Sequence, residues 1–92
     1  MTWTLGQGVD FTLEHRERAT KQDRSQLLDV ARFLGSGKLL DNIATTDVDE
    51  FVKHCRSKGN KNSTIKRKLN MLSAVYRDAM RRGGCSHKPF LP

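Results

Sequence analysis

Apolar side chains recur at helical spacing in four segments of the chain, and no segment alternates polar and apolar residues over the length of a strand. The first segment opens with Thr4 and Gln7 in a capping-box pattern. The second opens with Thr20, whose hydroxyl can cap a helix, and Asp23 three residues later. Gly35 supplies the stop of this second segment. The pattern therefore predicts a helix in each segment.

The third and fourth helices are predicted from the second half of the chain. The third is expected to begin at Thr45 or Thr46, and the fourth to be capped by Asn62 or Ser63 and to end at Gly83. Their predicted buried positions are Val48, Phe51, Val52, Cys55, Ile65, Leu69, Met71, Leu72, Val75, Tyr76 and Ala79. The loop before the third helix should turn Leu39, Leu40 and Ile43 inward. The predicted fold class is all-α, a compact four-helix bundle.

Charge is distributed unevenly along the chain. Residues 1–52 carry six Lys and Arg against nine Asp and Glu, a net charge of −3, whereas residues 53–92 carry eleven against one, a net charge of +10. Such asymmetry favours a polyanionic partner, the alternative being a solvated basic face that serves only solubility. Aromatic residues make up 7% of the chain, too few for a platform that stacks single-stranded bases.

The side of the fourth helix opposite its apolar stripe is predicted to carry most of this positive charge. Spacings of three and four place on it Arg67, Asn70, Ala74, Arg77 and Arg81. Lys61 and Lys66 lie at the start of the helix, where the helix dipole already attracts anions. Lysines there oppose the dipole, and a bound phosphate would resolve that conflict.

Catalytic and metal-binding chemistry has weak support in the sequence. Cys55 and Cys85 stand alone without a Cys-x-x-Cys pair, which indicates a reducing, cytoplasmic setting rather than a disulfide or zinc site. Cys55 and Tyr76 fall on apolar stripes and are expected in the core, not as nucleophiles. No catalytic residue, metal or cofactor is predicted. The chain also contains neither a signal-peptide pattern nor an apolar run long enough to cross a membrane.

The order of several short motifs resembles the core-binding domain of tyrosine recombinases, the phage integrase family. These motifs are Leu-Asp-Asn-Ile at 40–43, Thr-Thr-Asp-Val-Asp-Glu-Phe at 45–51, Asn-Ser-Thr-Ile-Lys-Arg-Lys-Leu at 62–69, Tyr-Arg-Asp-Ala-Met-Arg-Arg-Gly at 76–83 and Lys-Pro at 88–89. The chain departs from the family pattern at Ala44, where a hydroxyl is usual, so the cap of the third helix is expected to move to Thr45. It departs again at Lys88, where the family has asparagine.

The resemblance implies a SAM-like bundle that covers one face of duplex DNA. Residues 1–88 would form this domain, and residues 89–92 would begin the linker to a catalytic domain that the chain does not contain, so the chain itself would not be an enzyme. By resemblance, the contacts would come from Thr20, Lys21, Ser25, Ser63, Lys66, Arg67 and Asn70, to which the charge pattern adds Lys61 and Arg77. The implied partners are double-stranded DNA, the catalytic domain of the same parent chain, and further copies of the protein assembled on DNA. The implied location is the cytoplasm of a bacterium, on the nucleoid.

Two other classes fit a small helical chain. A helix-turn-helix regulator would use two short helices and a separate recognition helix, whereas the fourth helix here is long and also forms the core. A helical protein-interaction module would present exposed apolar anchors, for which Phe33, Phe90 and Leu91 are the candidates.

Overall fold

A computed structural model describes residues 2–15 and 20–85 of the protein. It contains four α-helices: α1 (Leu5–His15), α2 (Lys21–Leu34), α3 (Thr45–Ser57) and α4 (Asn62–Arg81). A single 3-10 turn, Leu40–Asn42, precedes α3. No strand occurs among the described residues, where only an isolated bridge joins Thr4 to Leu39. The predicted all-α, four-helix architecture is confirmed. The expected start of a linker at residue 89 lies outside the described residues.

The first two helix starts are built as the sequence predicts. The Gln7 backbone N–H donates to the Thr4 hydroxyl over 3.2 Å, and the Gln7 side chain accepts from the Thr4 N–H over 2.9 Å. Thr20 and Asp23 form the same reciprocal pair at the start of α2. Both boxes depend on residues only three positions apart, which is why the sequence alone identifies them.

The caps of the other two helices differ from the expectation. Ala44, not Thr45, is the extended cap residue of α3, and the Asp47 carboxylate accepts its N–H over 2.9 Å. At α4 the cap residue is Lys61, because Asn62 is already helical, and no side chain caps this end. Thr45 therefore begins α3 as predicted, but neither Asn62 nor Ser63 caps α4.

A glycine terminates each of α3 and α4 and lets the chain change direction there. Gly59 and Gly83 have φ angles of 81° and 74°, a left-handed conformation that glycine adopts without steric cost. After α4 the Gly84 N–H donates to the Ala79 carbonyl over 2.7 Å, which closes the helix in a Schellman-type end. The predicted stop at Gly83 is confirmed.

The core lies around α4, which packs against α1 and α2, while α2 packs against α3. Tyr76 is fully buried, and its hydroxyl donates to the Leu40 carbonyl over 2.9 Å. Leu40 and Ile43 turn inward as predicted, but Leu39 is 38% exposed, because neighbouring residues of an extended segment point to opposite sides. All the predicted core positions of α3 and α4 are buried except Val52 and Leu69, which are partly buried against the core.

The N-terminal segment is fixed beside the end of α4. The Trp3 N–H donates to the Gly84 carbonyl over 2.7 Å, and the Trp3 carbonyl accepts from the Leu40 N–H over 2.9 Å. The Trp3 ring packs against that of Phe11, with centroids 5.1 Å apart. Gly84 is buried, and a Cβ atom there would stand 2.5 Å from the Trp3 ring. The close approach of these two residues therefore requires glycine.

Gly84→Ala is expected to destabilise the protein by about 1–3 kcal/mol, because the added methyl group must displace a ring whose backbone is hydrogen-bonded on both sides. Urea denaturation followed by circular dichroism measures this change. Gly37→Ala is the matched control, since a Cβ at Gly37 meets nothing within 4 Å. Equal stability of the two variants would contradict the packing described for Trp3.

Candidate nucleic-acid interface

The outer side of α4 presents a row of exposed polar and basic side chains. Ser63, Lys66, Asn70 and Arg77 are all exposed and follow one another at spacings of three, four and seven residues. Such spacings return to the same side of a helix. Arg81, four residues beyond Arg77, is exposed on the same side, although it was not among the predicted contacts. The same helical spacing would have added Arg81 to the predicted contacts.

Ala74 was expected on this outer side but is buried, with 3% of its surface exposed. A shallow groove of about 200 Å³ lies there, lined by Ala74, Arg77, Asp78 and Arg81. Asp78 is directed to α1, where its carboxylate accepts from the Thr12 hydroxyl over 3.0 Å. Arg77 and Arg81 therefore border this groove, and the Asp78 carboxylate that lines it is already hydrogen-bonded to Thr12.

The N-terminal end of α4 combines free backbone donors with positive side chains. The helix starts at Asn62 without a side-chain cap, so the N–H groups of its first turn are not satisfied by a capping side chain. Lys61 and Lys66 are both exposed at this end. The helix dipole and the two ammonium groups add up to a local positive potential.

The predicted contacts on α2 lie at its beginning. Thr20, Lys21 and Ser25 are all exposed. The Thr20 hydroxyl accepts the Asp23 N–H over 3.1 Å, so its oxygen is engaged in the helix cap and its own proton remains available for donation. Lys21 and Ser25 make no side-chain hydrogen bond or ion pair with another described residue.

An ion pair joins the start of α2 to α4. The Arg67 Nη2 lies 3.0 Å from the Asp23 Oδ1, and the side chains are 49% and 14% exposed. The Thr20 backbone N–H, and after it the Arg67 guanidinium, hold the pKa of Asp23 below its ordinary value. Arg67 is therefore oriented by a carboxylate while half of its side chain stays accessible. Because a guanidinium carries five N–H donors, it can bind a second acceptor at the same time.

The structure thus brings Thr20 and Arg67 together through Asp23, and places the other seven predicted contacts on exposed surface. No side-chain hydrogen bond or ion pair joins these seven to one another: Lys21, Ser25, Lys61, Ser63, Lys66, Asn70 and Arg77. Asp23 is the positioning residue that the sequence did not reveal, because it lies 44 positions from Arg67.

Groups that could support other chemistry are buried. Tyr76, Cys55 and Cys85 are at most 8% exposed, and burial raises the pKa of Tyr76 above its ordinary value. Within residues 2–15 and 20–85, no three His, Cys, Asp or Glu side chains cluster as metal ligands. None of the described helices has the length and apolar character needed to cross a membrane. The predicted core positions of Tyr76 and Cys55 are confirmed.

Comparison with known proteins identifies the family. Residues 14–83 match the family described as "Phage integrase, N-terminal SAM-like domain". No curated protein and no solved structure matches the chain. The matched range includes α2, α3 and α4 entirely, and with them all nine predicted contact residues. The chain therefore belongs to the phage integrase N-terminal SAM-like domain family.

Proposed function

We propose that the protein binds duplex DNA sequence-specifically, as the core-binding domain of a site-specific tyrosine recombinase that acts in DNA integration or recombination. The proposed surface is formed by the start of α2 and the outer side of α4. Family membership supports a role in recombination. Sequence-specific binding, and the residues that carry it, are the parts that we infer.

The observation that carries the proposal is the Asp23–Arg67 ion pair between the two helices. It fixes a half-exposed guanidinium of α4 beside the first turn of α2, where Thr20 and Lys21 are exposed. The rest of the outer side of α4 extends this surface with Lys66, Asn70 and further exposed cations. A polar, basic surface from two helices is the kind that binds phosphates and reaches base edges in a groove.

The residues of this surface divide by their chemistry. Lys61 and Lys66 stand beside the uncapped N-terminus of α4, a place that suits a phosphate oxygen. Arg77 is a further exposed cation that can bind a phosphate of the DNA backbone. Arg67 and Asn70 have the donor geometry that reads guanine and adenine edges, respectively. We assign phosphate binding to the first group and base recognition to the second.

The other proposed partners are a catalytic domain and further copies of the protein. We infer that strand cleavage and joining belong to a catalytic domain of the same parent chain, because the buried Tyr76 and cysteines offer no accessible nucleophile. Copies of the protein are proposed to assemble on the DNA rather than in its absence. The proposed setting is the bacterial cytoplasm, where the nucleoid provides the substrate.

Binding of residues 1–92 to duplex DNA is expected to weaken steeply with salt, since most contacts are cations on phosphates. With about 4–6 phosphates neutralised, log K should fall against log salt concentration with a slope of about −4 to −5. Fluorescence anisotropy with a labelled duplex at several salt concentrations measures the slope. Affinity independent of salt, or no binding at low salt, would refute the proposed function.

A further inference from the structure

A cavity of about 410 Å³ opens between α2, α3 and the start of α4. We call it the α2–α3 cavity. Phe51 and Cys55 lie at its base but are each only 1% exposed, so they present almost no surface to a ligand. Phe33 stands at its rim with 40% of its surface exposed, although its ring packs 5.5 Å from that of Phe51. The His54 ring stacks on Phe33 with centroids 4.7 Å apart. The rim therefore presents an ordered aromatic pair to solvent.

The charges around the α2–α3 cavity are unbalanced. Asp29 is the only carboxylate among the described residues that line it, against the three cations of Arg32, Lys58 and Lys68. Lys68 is 7% exposed, and its Nζ lies 3.6 Å from Asp29. Arg32 and Lys58 are exposed and form no ion pair with another described residue. After Lys68 and Asp29 neutralise each other, two positive charges remain beside the exposed Phe33 ring.

The α2–α3 cavity and Asn70, a proposed base contact, lie on opposite sides of α4. Lys68 and Asn70 are two residues apart on α4, which corresponds to a rotation of about 200° around the helix axis. Lys68 lines the cavity, so Asn70 points to nearly the opposite side. The exposed Phe33 ring also has no partner on a DNA backbone, whereas a protein segment can cover it.

We propose that the α2–α3 cavity is a docking site for an acidic segment of a partner protein, one that inserts an apolar side chain between flanking carboxylates. The apolar side chain covers the exposed part of Phe33. The carboxylates pair with Arg32 and Lys58, which form no ion pair within the described part of the chain. Charge complementarity selects the acidic segment, because a basic or neutral one would leave these cations without a counter-charge. DNA could then bind to the opposite side at the same time.

Nuclear magnetic resonance titration with a synthetic peptide tests this site. The probe is a short Gly/Ser peptide with one phenylalanine flanked on each side by two acidic residues. We expect its addition at millimolar concentration to shift the backbone resonances of Phe33, His54 and Lys58. Replacement of the peptide's phenylalanine by serine, or of its acids by amides, should weaken binding about tenfold.

Protein variants separate the cavity from general electrostatics. Phe33→Ser and Lys58→Glu change exposed side chains, so both should fold, and each should weaken peptide binding about tenfold while leaving DNA affinity within about twofold. Lys66→Glu, a matched charge reversal on α4, should weaken DNA binding and leave peptide affinity within about twofold.

The proposal is wrong if the peptide shifts no resonance, or if Lys66→Glu weakens peptide binding as much as Lys58→Glu does. It is also wrong if Phe33→Ser weakens DNA binding as Lys66→Glu does, which would assign the cavity to DNA. If the protein without substitutions does not bind DNA, only the proposed function is refuted.

Discussion

Tyr76→Ala is expected to destabilise the protein by about 3–5 kcal/mol, a large part of the about 5–15 kcal/mol that stabilises a typical domain. Among residues 2–15 and 20–85, Tyr76 is the largest fully buried side chain, and its removal leaves a cavity in the core. Tyr76→Phe keeps the ring but removes the hydroxyl that donates to the Leu40 carbonyl. The carbonyl still accepts the Ile43 N–H over 3.3 Å, so the loss should cost only about 0.5–1.5 kcal/mol. Urea denaturation of both variants, monitored by circular dichroism, gives the two values.

Met80→Ala is the control on the same helix, because Met80 is 45% exposed and its loss should change stability by less than about 0.5 kcal/mol. Tyr76 and Met80 lie one turn apart, so the comparison isolates burial from helix formation. Equal stability of the Tyr76→Ala and Met80→Ala variants would contradict the described core. A covalent protein–DNA adduct formed by residues 1–92 and lost in Tyr76→Phe would contradict the structural role given to this tyrosine.

Helix starts with a capping hydroxyl and a polar side chain three residues later could be predicted from the sequence. Thr4 with Gln7 and Thr20 with Asp23 satisfy each other's backbone donors, so the pair itself determines where the helix begins. The start of α4 could not be predicted in this way, because Lys61 occupies the cap position with no side-chain hydrogen bond. A start that no local pair specifies is set by how the helix packs, which the sequence pattern does not show.

Residue type alone does not predict the burial of a side chain where the tertiary environment overrides it. Leu39 is apolar but exposed, whereas Lys68 is charged but only 7% exposed. The Lys68 stem lines the cavity between three elements while its ammonium group approaches Asp29 of α2. Helical period gives the direction of a side chain from its own axis, but the neighbouring helix that covers it is fixed only in the folded protein.

The candidate DNA surface could be predicted in outline but not in its connections. Helical period alone placed Arg67, Asn70, Arg77 and Arg81 on one side of α4, and all four are exposed, whereas Ala74, expected on the same side, is buried. The position of α2 relative to that side depends on contacts distant in sequence. The ion pair of Arg67 with Asp23 is such a contact, and it changes the expected behaviour of Arg67 from a free side chain to an oriented one.

The double variant Arg67→Ala with Asn70→Ala is expected to lose about 1–3 kcal/mol of DNA-binding free energy for each base contact removed. The two residues lie on adjacent turns of the exposed side of α4, and Ile65 and Leu72 hold the other side in the core, so the fold should persist. Anisotropy titrations at fixed salt, against a duplex selected from a random library and against an unrelated duplex, measure the loss. A loss on the selected duplex alone indicates base recognition, whereas an equal loss on both indicates phosphate contacts.

Arg56→Ala with Asn42→Ala is the matched control, because it removes the same two chemical groups from exposed positions outside α2 and α4. Arg67→Lys adds a finer comparison: it keeps the charge and loses the planar fork, so it should reduce discrimination between the duplexes more than affinity for the unrelated one. Circular dichroism of each variant establishes that loss of the Asp23 ion pair has not unfolded the protein. If the Arg56/Asn42 variant loses as much affinity as the Arg67/Asn70 variant, net charge rather than the outer side of α4 determines binding.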